Sequence, residues 1–177
     1  MSQNHNIGID VDGTLTKEKI GKEIMSLGPD KIAKAMLDCT PKNGIDVLFE
    51  TNHSVYIITG RPEMYKEVTI DWLDTYGIPY QELTMFPNNF YTIHGYSIPK
   101  YVGLKLDIHI QKDISLAIDD NADVINMLNQ FGIYACKVED NFRDAFEKVL
   151  GVPEGGGLLT KLKTKTPKNE NIGGHVM

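Results

Sequence analysis

Ile7-Gly8-Ile9-Asp10-Val11-Asp12-Gly13-Thr14 is a short apolar run that ends in two carboxylates and breaks at a glycine. Side chains alternate faces along a strand, so acids at i and i+2 point the same way. They repel unless a cation sits between them or one of them holds a proton. Both conditions suit phosphoryl transfer. One carboxylate can attack phosphorus, the other can carry a proton to and from the bridging oxygen, and Mg²⁺ can screen both from the substrate's charge. Taken alone, the string also reads as a turn that closes a strand, so its weight depends on what surrounds it.

Outward from that stretch, short apolar runs alternate with longer segments of helical periodicity, the pattern of a parallel sheet covered by helices. Five core strands are expected: residues 5–10, Ser54–Thr59, Glu82–Phe86, Ser115–Asp119 and Ile133–Lys137. Helices are predicted over Pro62–Tyr76, with Val68, Trp72 and Leu73 inward, and over Tyr101–Gln111. Two more follow, over Asn121–Phe131 and Asn141–Leu150, the last with Phe142, Ala145, Phe146 and Val149 inward. The segment 15–53 is too long for one crossover helix and reads as a small helical cap broken at Gly28-Pro29 and Thr40-Pro41. Such a cap lies over the strand ends where ligands bind in open α/β sheets. Pro87–Pro99 reads as a loop at the same edge, and residues 153–177, with Lys161, Lys163, Lys165 and Lys168, as a flexible basic tail behind a domain of residues 1–152.

Composition narrows the function classes. The chain has 177 residues, 41% hydrophobic, with a net charge of −6, which suits one globular domain and argues against wholesale binding to nucleic acid. No apolar run is long enough to span a bilayer. The first residues, Met1 to Asn6, lack the basic and apolar regions of a signal peptide, so a cytoplasmic address is expected. Cys39 and Cys136 stand far apart and form no metal-binding spacing. His53, His94 and His109 show none either and read as surface or core histidines.

Two further runs end in chemistry at the positions where the first acid pair needs help. Val55-Tyr56-Ile57-Ile58-Thr59-Gly60-Arg61-Pro62 ends in a hydroxyl, a glycine and a helix start, a place where a phosphate can be held. Leu116-Ala117-Ile118-Asp119-Asp120-Asn121 ends in adjacent acids suited to a hard cation such as Mg²⁺. Asp120 can alternatively cap the helix that follows, as can Asn121. Arg61 either binds substrate or pairs with a nearby acid. Phe90, Tyr91 and Tyr96 either pack against the cap or stack on a base or sugar.

With these three runs in order and in strand context, the sequence resembles the haloacid dehalogenase (HAD) superfamily of phosphohydrolases over Asn6 to Leu150. The resemblance implies a Rossmann-like α/β parallel sheet of strand order 5-4-1-2-3 with a helical cap insertion, and an Mg²⁺-dependent phosphatase. It makes Asp10 the nucleophile that becomes an aspartyl phosphate and Asp12 the general acid and base, the latter a mark of phosphatases and phosphomutases. Thr59 and the Gly60 amide would hold the phosphoryl group. Asp119 would bind Mg²⁺ with Asp10 and the Val11 or Asp12 carbonyl region, and Asp120 would be a ligand or support one. The family also carries a lysine ahead of the Asp119 strand. Lys100, Lys105 and Lys112 compete for that part, and Lys100 is preferred because it opens the predicted helix Tyr101–Gln111 near the catalytic end of the sheet.

Within the family, Ser115 to Val138, Ile58 to Pro62 and the separation of Lys100 from Asp119 resemble the phosphatase domain of phage polynucleotide kinase/phosphatases. That subgroup carries arginines and acids in the loop before the lysine, whereas this chain has Asn88-Asn89-Phe90-Tyr91-Thr92-Ile93-His94-Gly95-Tyr96. The departure weighs against a polynucleotide. No Gly-x-x-x-x-Gly-Lys-Ser/Thr loop occurs in these 177 residues, so no kinase is expected among them. The expected substrate is a phosphorylated small molecule, a nucleotide or a nucleic-acid end. A polynucleotide 3′-phosphatase, a sugar-phosphate phosphatase, a phosphomutase and a non-catalytic binding module are the alternatives.

Overall fold

Five strands form one parallel sheet: β1 (Asn6–Ile9), β2 (Ser54–Pro62), β3 (Glu82–Phe86), β4 (Leu116–Asp119) and β5 (Tyr134–Lys137), in the order β3-β2-β1-β4-β5. Read from the other edge, this is the expected order. The computed structural model describes residues 4–151, so the proposed tail over 153–177 lies outside the described residues. Ile7 pairs with Val55 on one side and Leu116 on the other. β1 is therefore central, and its end is flanked by the ends of β2 and β4.

Alternation along the strands sorts the core into two faces. Ile7, Ile9, Ile57 and Ile118 pack with Trp72 and Leu73 of α3 (Lys66–Thr75) and with Phe142 and Phe146 of α7 (Phe142–Leu150). Ile58 and Ala117 pack on the other face, with Val102 and Leu106 of α5 (Ile98–Gln111) and Val124 and Leu128 of α6 (Ala122–Gln130). Gly8 also faces α5. A Cβ there would lie 2.6 Å from His109 Nε2, so only glycine lets the buried histidine approach the strand. Asp10 and Asp119 continue the parity of Gly8 and Ala117, which directs both acids towards α5.

Between β1 and β2 the chain forms α1 (Lys22–Met25), α2 (Pro29–Leu37) and a 3-10 turn over Ile45–Phe49. Ile32 and Met36 of α2 pack on Tyr65 and Met85, with Ile20 and Met25 at the margin. Trp72 Nε1 donates to Cys39 O at 2.8 Å, which ties the insertion to α3. Pro29 begins α2, in keeping with the expected break at Gly28-Pro29.

Two expectations are corrected. β2 runs on through Pro62, and a 3-10 turn over Glu63–Tyr65 precedes α3, where a single helix from Pro62 was expected. The segment 87–99 is not all loop. It contains α4 (Phe90–His94) and the first turn of α5. Phe90 is buried edge-on against Phe86, ring centroids 4.7 Å apart, and this contact holds a helix too short to show a period.

His109 gives the fold a pH signature. Its Nδ1 donates to Lys105 O at 2.7 Å. Burial, reinforced by the Lys105 charge against the hydrogen bond to its carbonyl, pushes its pKa down to about 4. The unfolded chain takes up this proton near pH 6.5 and the folded chain withholds it until about pH 4, so the histidine's contribution to stability is lost as pH falls through that window. Asp10, whose pKa is raised, acts in the opposite sense over overlapping pH, and a comparison of variants separates the two. Between pH 7 and 4, wild type is expected to lose about 3 kcal/mol more than His109→Asn in denaturant titrations. Equal losses in the two proteins would refute the assignment.

Candidate active site

The three strand ends bring their polar residues to one floor. Lys105 Nζ, fully buried, donates to Asp10 Oδ1 at 2.7 Å and to Asp119 Oδ2 at 2.6 Å. Thr14 Oγ1 donates to Asp10 Oδ2 at 3.4 Å, and the Asn121 amide donates to Asp119 Oδ1 at 2.8 Å. Asp120 pairs with Lys19 from the insertion. The Asn121 side chain caps α6 by accepting from the Asp123 and Val124 amides. Asn121 therefore takes the capping role that the sequence left open, and Asp120 meets Lys19 and lies beside Asp10 and Asp119.

Lys105, not Lys100, touches the acids. Lys100 is exposed in the first turn of α5. The helix starts at Ile98, earlier than expected, and its buried stripe of Val102, Lys105, Leu106, Ile108 and His109 faces the sheet. One turn before Lys105 on that face, Tyr101 lies with its ring 5.5 Å from Lys105 Nζ. Tyr101 also packs on Gly60, where a Cβ would lie 2.6 Å from its Cε2 and 3.0 Å from the Tyr91 hydroxyl. A side chain at position 60 would thus force apart the aromatic residues that border the site.

Arg61 takes the pairing role. Its Nε donates to Asp12 Oδ2 at 2.9 Å and its Nη2 to Asp12 Oδ1 at 2.6 Å, a fork that fixes both carboxylate oxygens. Nη1 donates to Thr69 Oγ1 at 3.2 Å, which anchors the guanidinium to α3. Thr59 is fully buried, and its hydroxyl accepts from the Arg61 amide at 3.2 Å. Gly60 and Arg61 reach the cavity above, which holds about 540 Å³ and is also bordered by Asp10, Asp12 and Asp120.

The electrostatics of the floor are those of an acid cluster short of positive charge. Burial pushes the Asp10 carboxyl up, to about 8; Lys105 pulls it back, and Asp119, Asp12 and Asp120 push it up again. Burial would lower Lys105, but Asp10 and Asp119 outweigh it and hold the ammonium well above its ordinary value. Arg61 is likewise held charged by Asp12 against its burial. Four acids thus meet three cations, Lys105, Arg61 and Lys19. Asp10, Asp119 and Asp120 each offer an oxygen within 4.8 Å of the others. That set of hard oxygen donors fits Mg²⁺, which keeps several waters and takes few protein carboxylates. The Asp12 carboxylate, engaged by Arg61, is not in that cluster.

No protein-family model matches the chain, and no curated protein matches it. Among solved structures, the chain is similar to one of the Pnkp1/Rnl/Hen1 RNA repair complex at 19% identity, covering 78% of this chain and 43% of that one, with a TM-score of 0.56. A second structure of the Pnkp1/Rnl/Hen1 complex matches at 18% identity over 80% of this chain and 48% of that one, TM-score 0.51. The third is D,D-heptose 1.7-bisphosphate phosphatase from B. bronchiseptica complexed with magnesium and phosphate, at 16% identity over 92% and 99%, TM-score 0.47. The chain spans less than half the length of the first two. The likeness is one of fold, a Rossmann-like parallel sheet whose strand order is the one that the sequence resemblance implied. Among the described residues no helix is long and apolar enough to cross a membrane.

Proposed function

We propose that this chain is an Mg²⁺-dependent phosphomonoesterase that works through an aspartyl phosphate on Asp10. The observation that carries the reading is Lys105 Nζ, buried and bonded at once to Asp119 and to Asp10, the acid that borders the cavity. A buried lysine shared by two acids is costly to desolvate, and its use is to neutralise a nucleophilic carboxylate while a phosphate dianion approaches.

In this reading an Asp10 oxygen attacks phosphorus in line with the leaving alcohol. The phosphoryl oxygens lie against the Gly60 amide and the Thr59 end of β2, at the edge where Lys105 supplies positive charge. Asp12, positioned by Arg61, must enter the cycle protonated, with one oxygen released from the fork, and gives that proton to the departing oxygen. It then takes one from the water that hydrolyses the acyl phosphate, which restores both acids. Asp10, Asp119 and Asp120 would hold Mg²⁺, which supplies charge neutralisation for Asp10 and for the phosphate. The inserted helices act as the cap, and a nucleotide or nucleic-acid end is the favoured substrate, in line with the fold shared with a component of an RNA repair complex.

The test is phosphate release from a panel of nucleotides, sugar phosphates and 3′-phosphorylated oligonucleotides, with Mg²⁺ and with chelator. Release is expected with Mg²⁺ and a drop to background with chelator. Release that is indifferent to chelation would refute the metal assignment, and no release from any compound would refute the phosphatase.

A further inference from the structure

Asp10, Asp12 and Asp120 account for the cavity floor, but they leave its aromatic wall without a role. Tyr91 OH donates to Gly60 O at 2.8 Å, so the wall begins beside the residue assigned to the phosphoryl group. It continues to Tyr96, whose ring lies 5.2 Å from that of Tyr91 at an interplanar angle of 33°. Tyr96 remains 49% exposed and Ile98 beside it 56%, although both border the cavity. The insertion supplies further lining. Ile20 and Met25 border the same cavity, and Lys22 Nζ lies 5.6 Å above the Tyr96 ring.

A phosphate needs only the floor, whereas about 540 Å³ is the size of a pocket for a whole small molecule. The lining beyond the floor combines the exposed Tyr96 ring and the half-buried Tyr91 ring with the apolar side chains of Ile20 and Met25. A flat, aromatic group gains most there, because stacking uses a ring face and the thioether of Met25 adapts to it. Lys22 adds a cation at the mouth.

We infer that Tyr91 and Tyr96, together with Ile20 and Met25 of the insertion, form a nucleobase subsite. The phosphoester is then that of a nucleotide unit, whose sugar spans from Tyr96 to Asp10. This inference rests on the phosphomonoesterase reading for the position of the phosphate. The same unit occurs as a free nucleotide and at the end of a nucleic acid. Either source places one base on the wall.

The experiment is calorimetric titration of Asp10→Asn protein with adenosine monophosphate, ribose 5-phosphate, glucose 6-phosphate and a 3′-phosphorylated dinucleotide. It is repeated with Tyr96→Ala and Tyr96→Phe added. The nucleotide is expected to bind roughly tenfold tighter than ribose 5-phosphate, a gap lost in Tyr96→Ala and kept in Tyr96→Phe. Binding of the dinucleotide with the same dependence on Tyr96 upholds the subsite and assigns it to chain ends; dependence seen for the mononucleotide alone upholds it for free nucleotides. Sugar phosphates that bind as tightly as the nucleotide, or a gap that survives Tyr96→Ala, overturn it. Phosphate release by wild type without preference for a base sinks the subsite alone. Preference for a base in a protein that releases no phosphate sinks the phosphatase and leaves the subsite.

Discussion

Lys105→Met is expected to destabilise the protein by about 3–5 kcal/mol at neutral pH, because it leaves Asp10 and Asp119 buried side by side without their shared cation. Methionine matches the stem of the lysine, so the loss reports charge and not volume. Turnover should fall by at least about 10²-fold, the scale on which removal of one positioned charge acts at a reacting centre. Lys100→Met is the matched control. That side chain is exposed, and its replacement should change stability by no more than about 0.5 kcal/mol. Denaturant unfolding and steady-state kinetics of the two variants check both statements. Equal effects at positions 100 and 105 would contradict the placement of the cation.

Asp10→Asn separates chemistry from folding. Turnover is expected to fall by at least about 10³-fold, since an amide cannot form the acyl phosphate. Stability should match or exceed that of wild type, because the change removes a carboxylate whose burial already pushes its pKa up, while Lys105 keeps Asp119 as a partner. An inactive variant that unfolds at lower denaturant than wild type would show that Asp10 holds the fold and not the reaction.

Much of this site could be read from order and alternation. Asp10, Thr59 and Asp119 each end an apolar run, and a parallel sheet with β1 at its centre carries all three ends to one edge. What the sequence hid was rotation about a helix. Lys100 and Lys105 lie on one helix, and the choice between them depends on which face meets the sheet. The signal was present: Tyr101, Val102, Lys105, Ile108 and His109 fall at helical spacing on a single stripe, and a lysine inside an apolar stripe is a charge that must find a partner. Nearness to the start of the helix was the wrong criterion.

Three other features depended on packing that spacing does not show. The fork from Arg61 to Asp12 joins residues 49 positions apart, and motif spacing does not distinguish it from an arginine that faces substrate. α4 is held by the rings of Phe86 and Phe90, not by periodicity, so its segment reads as a loop in sequence. The role of Gly8 was equally hidden. Its apolar neighbours made a strand legible, but the need for glycine comes from His109 across the helix layer.

The most direct measurement is an acid quench of wild-type protein during turnover of a phosphoester radiolabelled on phosphorus, followed by peptide mapping. The account predicts label on Asp10, released by hydroxylamine as expected for an acyl phosphate and absent from Asp10→Asn. Steady turnover with no labelled protein, or label on any residue other than Asp10, would contradict it.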